Sequence, residues 1–283
     1  MKKIDDVKDF WEKNPLWSGE SRYEVGTKEF FDEHRDVYLN DCYAKQFPDS
    51  LMVPKLTPED KILDLGCGIG MWSVELQLRT PERERAKMYS ADLTQNALEI
   101  TKKRLALYEL NSELSQQNAE SLEYADGMFA HVNCQGVIHH TPNTEQCVKE
   151  ISRVLKVGGT ANISVYYKNF FLRKWRYISF FSKFFKKSGA KMEGRGRENI
   201  YGLNDIDEIV RHYDGAENPI GKAYSKQEFI DMCGPYFDIE NARVFFFPAR
   251  TLPFKIPLFL HQFLDKNFGF MINLKLRKKA CAE

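Results

Sequence analysis

The stretch KILDLGCGIG, Lys61 to Gly70, decides the fold. Lys61 to Leu65 is a short apolar run broken by Asp64, and it reads as a buried β-strand. The chain then turns on Gly66, Gly68 and Gly70, with Cys67 between the first two. Met71 to Leu78 reads as the start of a helix. Glycines at such a turn let the backbone pass close to a ligand. The helix start presents free N–H groups and a positive dipole end to it. A dinucleotide fingerprint wants Gly or Ala at the sixth position, and Met71 stands there. The glycines instead fall as G-x-G-x-G behind an acid. Asp64 would repel a pyrophosphate and would suit a ligand that carries an ammonium group.

Working outward, Lys87 to Ala91 reads as a second strand that ends at Asp92, followed by Leu93. An acid here, one β-α-β unit after the turn, can accept hydrogen bonds from ribose hydroxyls. Asp92 can also cap the helix LTQNALEITKKRLAL. A weak third strand lies near Leu114, and NAESL follows at Asn118 to Leu122. The fourth strand is Met128 to Ile138, which ends in HHTP and leads into the helix TEQCVKEISRVL. LKVGGT, Leu155 to Thr160, is the break before a fifth strand at Ala161 to Tyr166. Strand alternating with helix predicts a parallel sheet with helices on both faces.

Residues 61 to 166 together resemble the class I S-adenosyl-L-methionine-dependent methyltransferases, whose first motif reads much like LDLGCGIG. The resemblance implies an α/β, doubly wound, Rossmann-like sheet of seven strands, mostly parallel, with an antiparallel C-terminal hairpin. It implies S-adenosyl-L-methionine as cofactor and S-adenosyl-L-homocysteine as product. The cofactor set is then Asp64, Gly66, Cys67, Gly68, Gly70, Asp92, Leu93, Asn118, Ala119 and Gln135, with Tyr23 added from the N-terminal segment. The family often carries D-A-E-x-L-P where this chain has Asn118-Ala119-Glu120. An asparagine still offers an amide oxygen to the adenine amino group.

The flanks divide the chain further. Residues 1–56 look helical, with Thr27 as a cap, and read as an N-terminal lid. Residues 57–166 and 225–283 form the methyltransferase domain. Residues 167–224 are an inserted helical cap. Within that insertion Phe170 to Lys187 projects as one helix with aromatic and basic sides. It covers the active site, lies on an anionic membrane surface, or forms a basic nucleic-acid face. Ser225 and Glu228 form a capping box. Ile239 to Phe247 is a sixth strand, Leu258 to Lys266 a last helix behind Pro257, and Phe270 to Leu276 the closing strand.

Of 283 residues, 41 are basic and 40 acidic, a net charge of +1, so the whole-molecule field selects no charged partner. Six cysteines without a C-x-x-C spacing suggest reduced thiols in a cytoplasmic protein. The charged start MKKIDDVKDF is not a secretory signal, and no run reaches the length of a membrane span. The histidines show no H-E-x-x-H spacing, so no metal is expected.

Methyl transfer from a sulfonium needs alignment, worth up to about 7–11 kcal/mol, and removal of a proton from the nucleophile. His139 and His140 stand just after the fourth strand, at the ligand end of such a sheet, and one of them is the expected base. Adjacent residues leave a strand in opposite directions, which leaves the choice open. Tyr166, Tyr167 and Lys168 end the fifth strand at the same edge, and Trp175 lies on the cap. These four are expected to contact the acceptor.

The expected function is methylation of an O, N or C nucleophile on a small aromatic or amphiphilic metabolite. An RNA methyltransferase using the basic cap and a non-catalytic S-adenosyl-L-methionine-binding partner protein are the alternatives. No RNA-binding module is recognisable, so nucleic acid is not the expected partner. A peripheral membrane contact through Phe170 to Lys187 stays open, as does the oligomeric state.

Overall fold

The computed structural model describes residues 2–180, 200, 202–252 and 254–280. Three helices come first: α1 Ile4–Lys13, α2 Lys28–Tyr43 and α3 Asp49–Met52. The sheet region then runs β1 Lys61–Leu65, α4 Met71–Leu78, β2 Lys87–Asp92, α5 Gln95–Leu107, β3 Glu113–Gln116, β4 Phe129–Gln135, α6 Thr144–Val154 and β5 Leu155–Tyr167. Beyond it lie α7 Phe170–Arg173, α8 Trp175–Phe180, α9 Ile206–Asp214, β6 Ala223–Tyr224, α10 Lys226–Cys233, β7 Phe237–Phe245, α11 Leu258–Phe268 and β8 Met271–Lys278.

The strands order as β3-β2-β1-β4-β5-β8-β7. The first five are parallel, and β8 runs antiparallel to both β5 and β7. The chain builds outward from β1 through β2 to β3, then returns to place β4 on the other side of β1. That reversal opens a crevice at the carboxyl ends of β1 and β4, where ligands bind in open α/β sheets. The core forms where apolar runs of the central strands meet α6 and α10. Leu63, Val132, Ile163 and Leu274 are fully buried beside Val148, Ile151 and Phe229.

Among the described residues the sheet holds eight strands rather than seven. The extra one, β6, pairs with the end of β5 through Tyr166 with Ala223 and Tyr167 with Tyr224, where the chain returns from the 167–224 segment. LKVGGT does not break before β5 but belongs to it, with the irregularity taken up opposite Phe129 and His131. Thr27 caps α2 by accepting from the Phe30 N–H, and Ser225 with Glu228 forms the capping box of α10. The single helix expected over Phe170 to Lys187 is, in its described part, two short helices that break at Lys174. Phe181, Lys183, Phe184, Phe185, Lys186 and Lys187 lie outside the described residues.

At the junction of α11 and β8 the chain passes hard against a neighbouring strand. A Cβ on Gly269 would sit 2.1 Å from the Phe245 carbonyl oxygen and 2.8 Å from that of Asp265. Both atoms are backbone and cannot rotate aside. Gly269→Ala is therefore expected to lower stability by about 1–3 kcal/mol through forced backbone shifts. The urea midpoint should fall while its slope stays constant.

Candidate functional site

The glycine turn is tied to β2 before any ligand is considered. The N–H groups of Gly66 and Cys67 both donate to the Ala91 carbonyl, at 2.7 and 2.9 Å. The Gly68 N–H donates to Asp92 Oδ2 at 2.9 Å. Gly66 has φ +71, and a Cβ there would lie 2.3 Å from Val137 Cγ2. Gly68, at φ +54, faces open space, with nothing within 4 Å of where its Cβ would be. One glycine thus lets the turn pack, and the other leaves room beside it.

That room is a chamber of about 150 Å³ at the ends of β1, β2 and β4. Of the residues expected to hold a cofactor, Gly66, Gly68, Asp92, Leu93, Asn118, Ala119 and Gln135 line it. Gly70, Cys67, Tyr23 and Asp64 do not. Gly70 caps α4 at φ +76, where its hydrogen clears Thr101. Cys67 Sγ lies 3.7 Å from the Thr101 hydroxyl. Tyr23 packs against the cluster of Trp17, Phe30 and Ile69, with Arg22 donating to its hydroxyl.

Asp64 departs furthest from expectation. It is buried within β1, and its oxygens accept from Ser73 Oγ at 2.6 Å and Asn133 Nδ2 at 2.9 Å. Burial raises its carboxyl to about 6 against the pull of those donors. An acceptor that does line the chamber is Gln135. Its Nε2 donates to the Asn162 carbonyl and Asn273 Oδ1, both at 3.0 Å, and its Oε1 is buried without a partner. A buried carbonyl oxygen left unpaired is costly, and a ligand N–H or ammonium would relieve it. A sulfonium amino acid therefore fits these residues through Gln135 rather than Asp64.

Asp92 is already engaged. It takes the Gly68 N–H on Oδ2 and the Thr94 N–H and hydroxyl on Oδ1, at 3.0 and 2.8 Å. Those use three of about four acceptor positions on a carboxylate, and the Thr94 hydroxyl can rotate to release another. Burial raises this carboxyl above its ordinary value, opposed by those N–H groups. Asn118 spends its amide oxygen on the Glu120 N–H at 3.0 Å. A second lone pair and the Nδ2 protons remain for a ligand.

A second chamber, of about 190 Å³, adjoins the first. Trp11, Leu16, Gln135, Gly136 and His140 line both and form the partition. The inner walls are aromatic, with Trp17, Tyr38, Tyr166, Tyr213 and Phe246. The polar groups include His34, His139, Glu20, Asp41, Ser164, Asp214 and Arg250. Arg250 pairs with Asp41 and with Glu20.

The two histidines do not diverge as adjacent strand residues would. The strand has ended at Gln135, and Ile138–His140 form a tight 3₁₀ turn. Their rings lie 4.1 Å apart, and both line the second chamber. His139 is buried, its Nδ1 has no partner, and burial holds its pKa well below the ordinary value. His140 pairs Nδ1 with the Ile220 carbonyl at 2.8 Å, which places the proton on that nitrogen. Its Nε2 lies 3.4 Å from Asp214 Oδ2, the oxygen that also accepts from the Tyr166 hydroxyl at 2.9 Å.

Of the expected acceptor contacts only Tyr166 lines this chamber. Lys168 is turned outward to Glu228, and the Tyr167 hydroxyl accepts from Arg173 at 3.4 Å. Trp175 is buried among Leu172, Ile200 and Ile209, and its Nε1 donates to the Leu203 carbonyl. Trp11, Asp214 and Arg250 were missed. No motif marks them, because Asp214 reads as a helix end and Arg250 as a loop residue. Among the described residues no cluster of His, Cys, Asp and Glu is arranged to hold a metal ion, and no helix is long and apolar enough to cross a membrane.

A family described as a methyltransferase domain matches residues 62–159. The chain is 31% identical over 112 residues to the demethylmenaquinone methyltransferase of Bacillus mycoides strain KBAB4, spanning 39% of this chain and 46% of that one. It is 33% identical over 161 residues to the demethylmenaquinone methyltransferase of Lactococcus lactis subsp. lactis strain IL1403, spanning 53% of this chain and 63% of that one. The chain thus spans about half the length of these curated relatives. A solved S-adenosylmethionine-dependent methyltransferase from Methanosarcina mazei aligns with a TM-score of 0.55 at 20% identity, covering 83% of this chain and 98% of that one. At that identity the likeness is one of fold.

Proposed function

We propose a methyl transfer for this chain, which belongs to the class I S-adenosyl-L-methionine-dependent methyltransferases. The donor occupies the chamber beside Gly68, Asp92 and Gln135, and the acceptor occupies the aromatic chamber beyond the partition. When bound, S-adenosyl-L-methionine supplies an electrophilic methyl group on a positive sulfur and leaves as S-adenosyl-L-homocysteine. The observation that carries the reading is the position of His140, which lines both chambers with Nε2 toward Asp214.

The roles follow from that geometry. His140 Nε2 takes the proton of the acceptor nucleophile as the methyl group arrives, and Asp214 stabilises the ring once it is charged. Tyr166 fixes Asp214 from the other side. His139, neutral through burial, shapes the pocket. The acceptor is a small planar aromatic, for which the relatives named as demethylmenaquinone methyltransferases favour a hydroquinone-like ring. Asp41, Glu20 and Asp214 against Arg250 make a poor cradle for phosphodiesters, which disfavours RNA. An acceptor chamber adjoining the donor chamber disfavours a merely binding role. Tritiated methyl transfer to hydroquinones, phenols, amines and RNA tests the reading. Labelled RNA with unlabelled small molecules would overturn it.

Helix α1 is the lid of the donor chamber. Ile4, Val7 and Trp11 line that chamber. The lid is latched by a remote cap. Thr94, at the N-terminus of α5, makes no side-chain cap because its hydroxyl is turned to Asp92. Glu12 takes its place, accepting from the Gln95 and Asn96 N–H groups at 2.9 and 3.0 Å. Losing such a cap costs about 1 kcal/mol. Glu12→Ala should therefore speed donor dissociation roughly fivefold in stopped-flow displacement. An unchanged off-rate would mean that α1 does not gate the chamber.

A further inference from the structure

The outer face of α11 is apolar where a surface helix is usually polar. Phe259 is 74% exposed and Phe263 56% exposed. They stand one turn apart and share a face. The loop before the helix adds Phe254, 64% exposed, and the first residue of the helix adds Leu258, 48% exposed. The aromatic surface continues onto α7 through tilted and edge-on ring contacts. Phe263 lies 6.3 Å from Phe268, and Phe268 lies 5.5 Å from Phe171 and 6.3 Å from Phe170. Phe170 is itself 54% exposed. A contiguous patch of this size calls for something to cover it.

Among the described residues of α7, α8, α11 and the loop before α11, the exposed charges around the patch are of one sign. Lys255 and Lys266 flank it on the α11 side, and Arg173, Lys174 and Arg176 on the α7–α8 side, all exposed. From 168 to 180 there is no acid. From 254 to 268 the one acid is Asp265, which is buried and accepts from the Phe247 N–H. The chain as a whole is nearly neutral at +1, so the positive excess is a property of this face. A second copy packed face to face on it would bring like charges together.

We propose that this face, formed by α11, the loop before it and α7–α8, docks on an anionic lipid bilayer. The phenylalanines enter the headgroup and acyl boundary while the lysines and arginines meet lipid phosphates. Docking is independent of the methyl transfer proposed above, because it is measured without donor or acceptor.

The experiment is co-sedimentation with vesicles of phosphatidylglycerol mixed with phosphatidylcholine, beside vesicles of phosphatidylcholine alone. The wild-type chain should pellet with the mixed vesicles and release as salt rises. The double variant Phe259→Ser, Phe263→Ser should lower the partition coefficient by about tenfold or more. The double variant Lys255→Glu, Lys266→Glu should also lower it by about tenfold or more, because it removes two favourable charges and adds two that the anionic surface repels. These side chains are exposed, so thermal melting should stay within a few degrees of wild type and confirm that both variants fold. Absence of pelleting with anionic vesicles overturns the proposal, as does equal pelleting with phosphatidylcholine alone or with the Phe variant. Dimerisation in solution that the Phe variant abolishes, without vesicle binding, assigns the face to a second copy and equally overturns it.

Discussion

His140→Ala is expected to lower turnover by about 10²- to 10⁴-fold, with S-adenosyl-L-methionine still bound. The size follows from the loss of a positioned proton acceptor whose tautomer is set by the Ile220 carbonyl and whose Nε2 faces Asp214. Donor affinity should change little, because His140 makes its recorded polar contacts to protein groups and only its ring borders the donor chamber. His139→Ala should cost far less than His140→Ala. Its ring is held neutral by burial and has no acidic partner to stabilise a charged form. Asp214→Asn separates the remaining options. If Asp214 stabilises the charged ring, the asparagine variant keeps donor affinity, loses turnover and shifts the pH–rate profile. Single-turnover kinetics with saturating donor, compared with calorimetry of donor binding, make the measurement. Near-normal turnover in His140→Ala would remove the base assignment and leave alignment alone to account for catalysis.

The glycine turn, the acid ending β2 and the alternation of strand with helix were all legible in the sequence. They were legible because backbone constraint writes itself locally. A turn with positive φ demands glycine, and a parallel strand demands an apolar run. Gly66, Gly68, Asp92 and Gln135 meet at one chamber on that account. Asp64 was misread because spacing cannot tell which way a strand residue points once Ser73 and Asn133 compete for it. The histidine pair was left open for a similar reason, since the strand stops before them and a 3₁₀ turn brings both rings to one side. Trp175 carried a helical aromatic pattern, but the helix breaks at Lys174 and the indole turns into the core. Asp214 and Arg250 come to the acceptor chamber only through long-range folding, and no local pattern announces them. The acceptor side is therefore the less legible half. Besides the ends of β4 and β5 that bring His139, His140 and Tyr166, its residues come mainly from α1, α2, α9 and the loop after β7, whereas the donor side is largely built from the neighbouring strands β1, β2 and β4 and their loops.

Asp92→Ala is expected to weaken S-adenosyl-L-methionine binding by about two orders of magnitude. A hydrogen bond to a charged acceptor contributes about 1.5–3 kcal/mol. Losing one or two ribose hydroxyl partners therefore costs about 3 kcal/mol, or about 10²-fold in dissociation constant. The same carboxylate also holds the glycine turn through the Gly68 N–H and the first turn of α5 through Thr94. Alanine removes those contacts as well, so the loss of affinity would mix ligand contact with loop order. Asp92→Asn resolves the two. Its amide oxygen can still accept from Thr94 or Gly68 and keep the turn in place, while the charge is gone. The asparagine variant should melt close to wild type yet bind the donor roughly tenfold or more weakly. If it binds like wild type and only the alanine variant fails, Asp92 serves the turn and not the ribose. If neither substitution changes affinity, the donor does not occupy this chamber, and the methyl-transfer geometry built on it falls with that result.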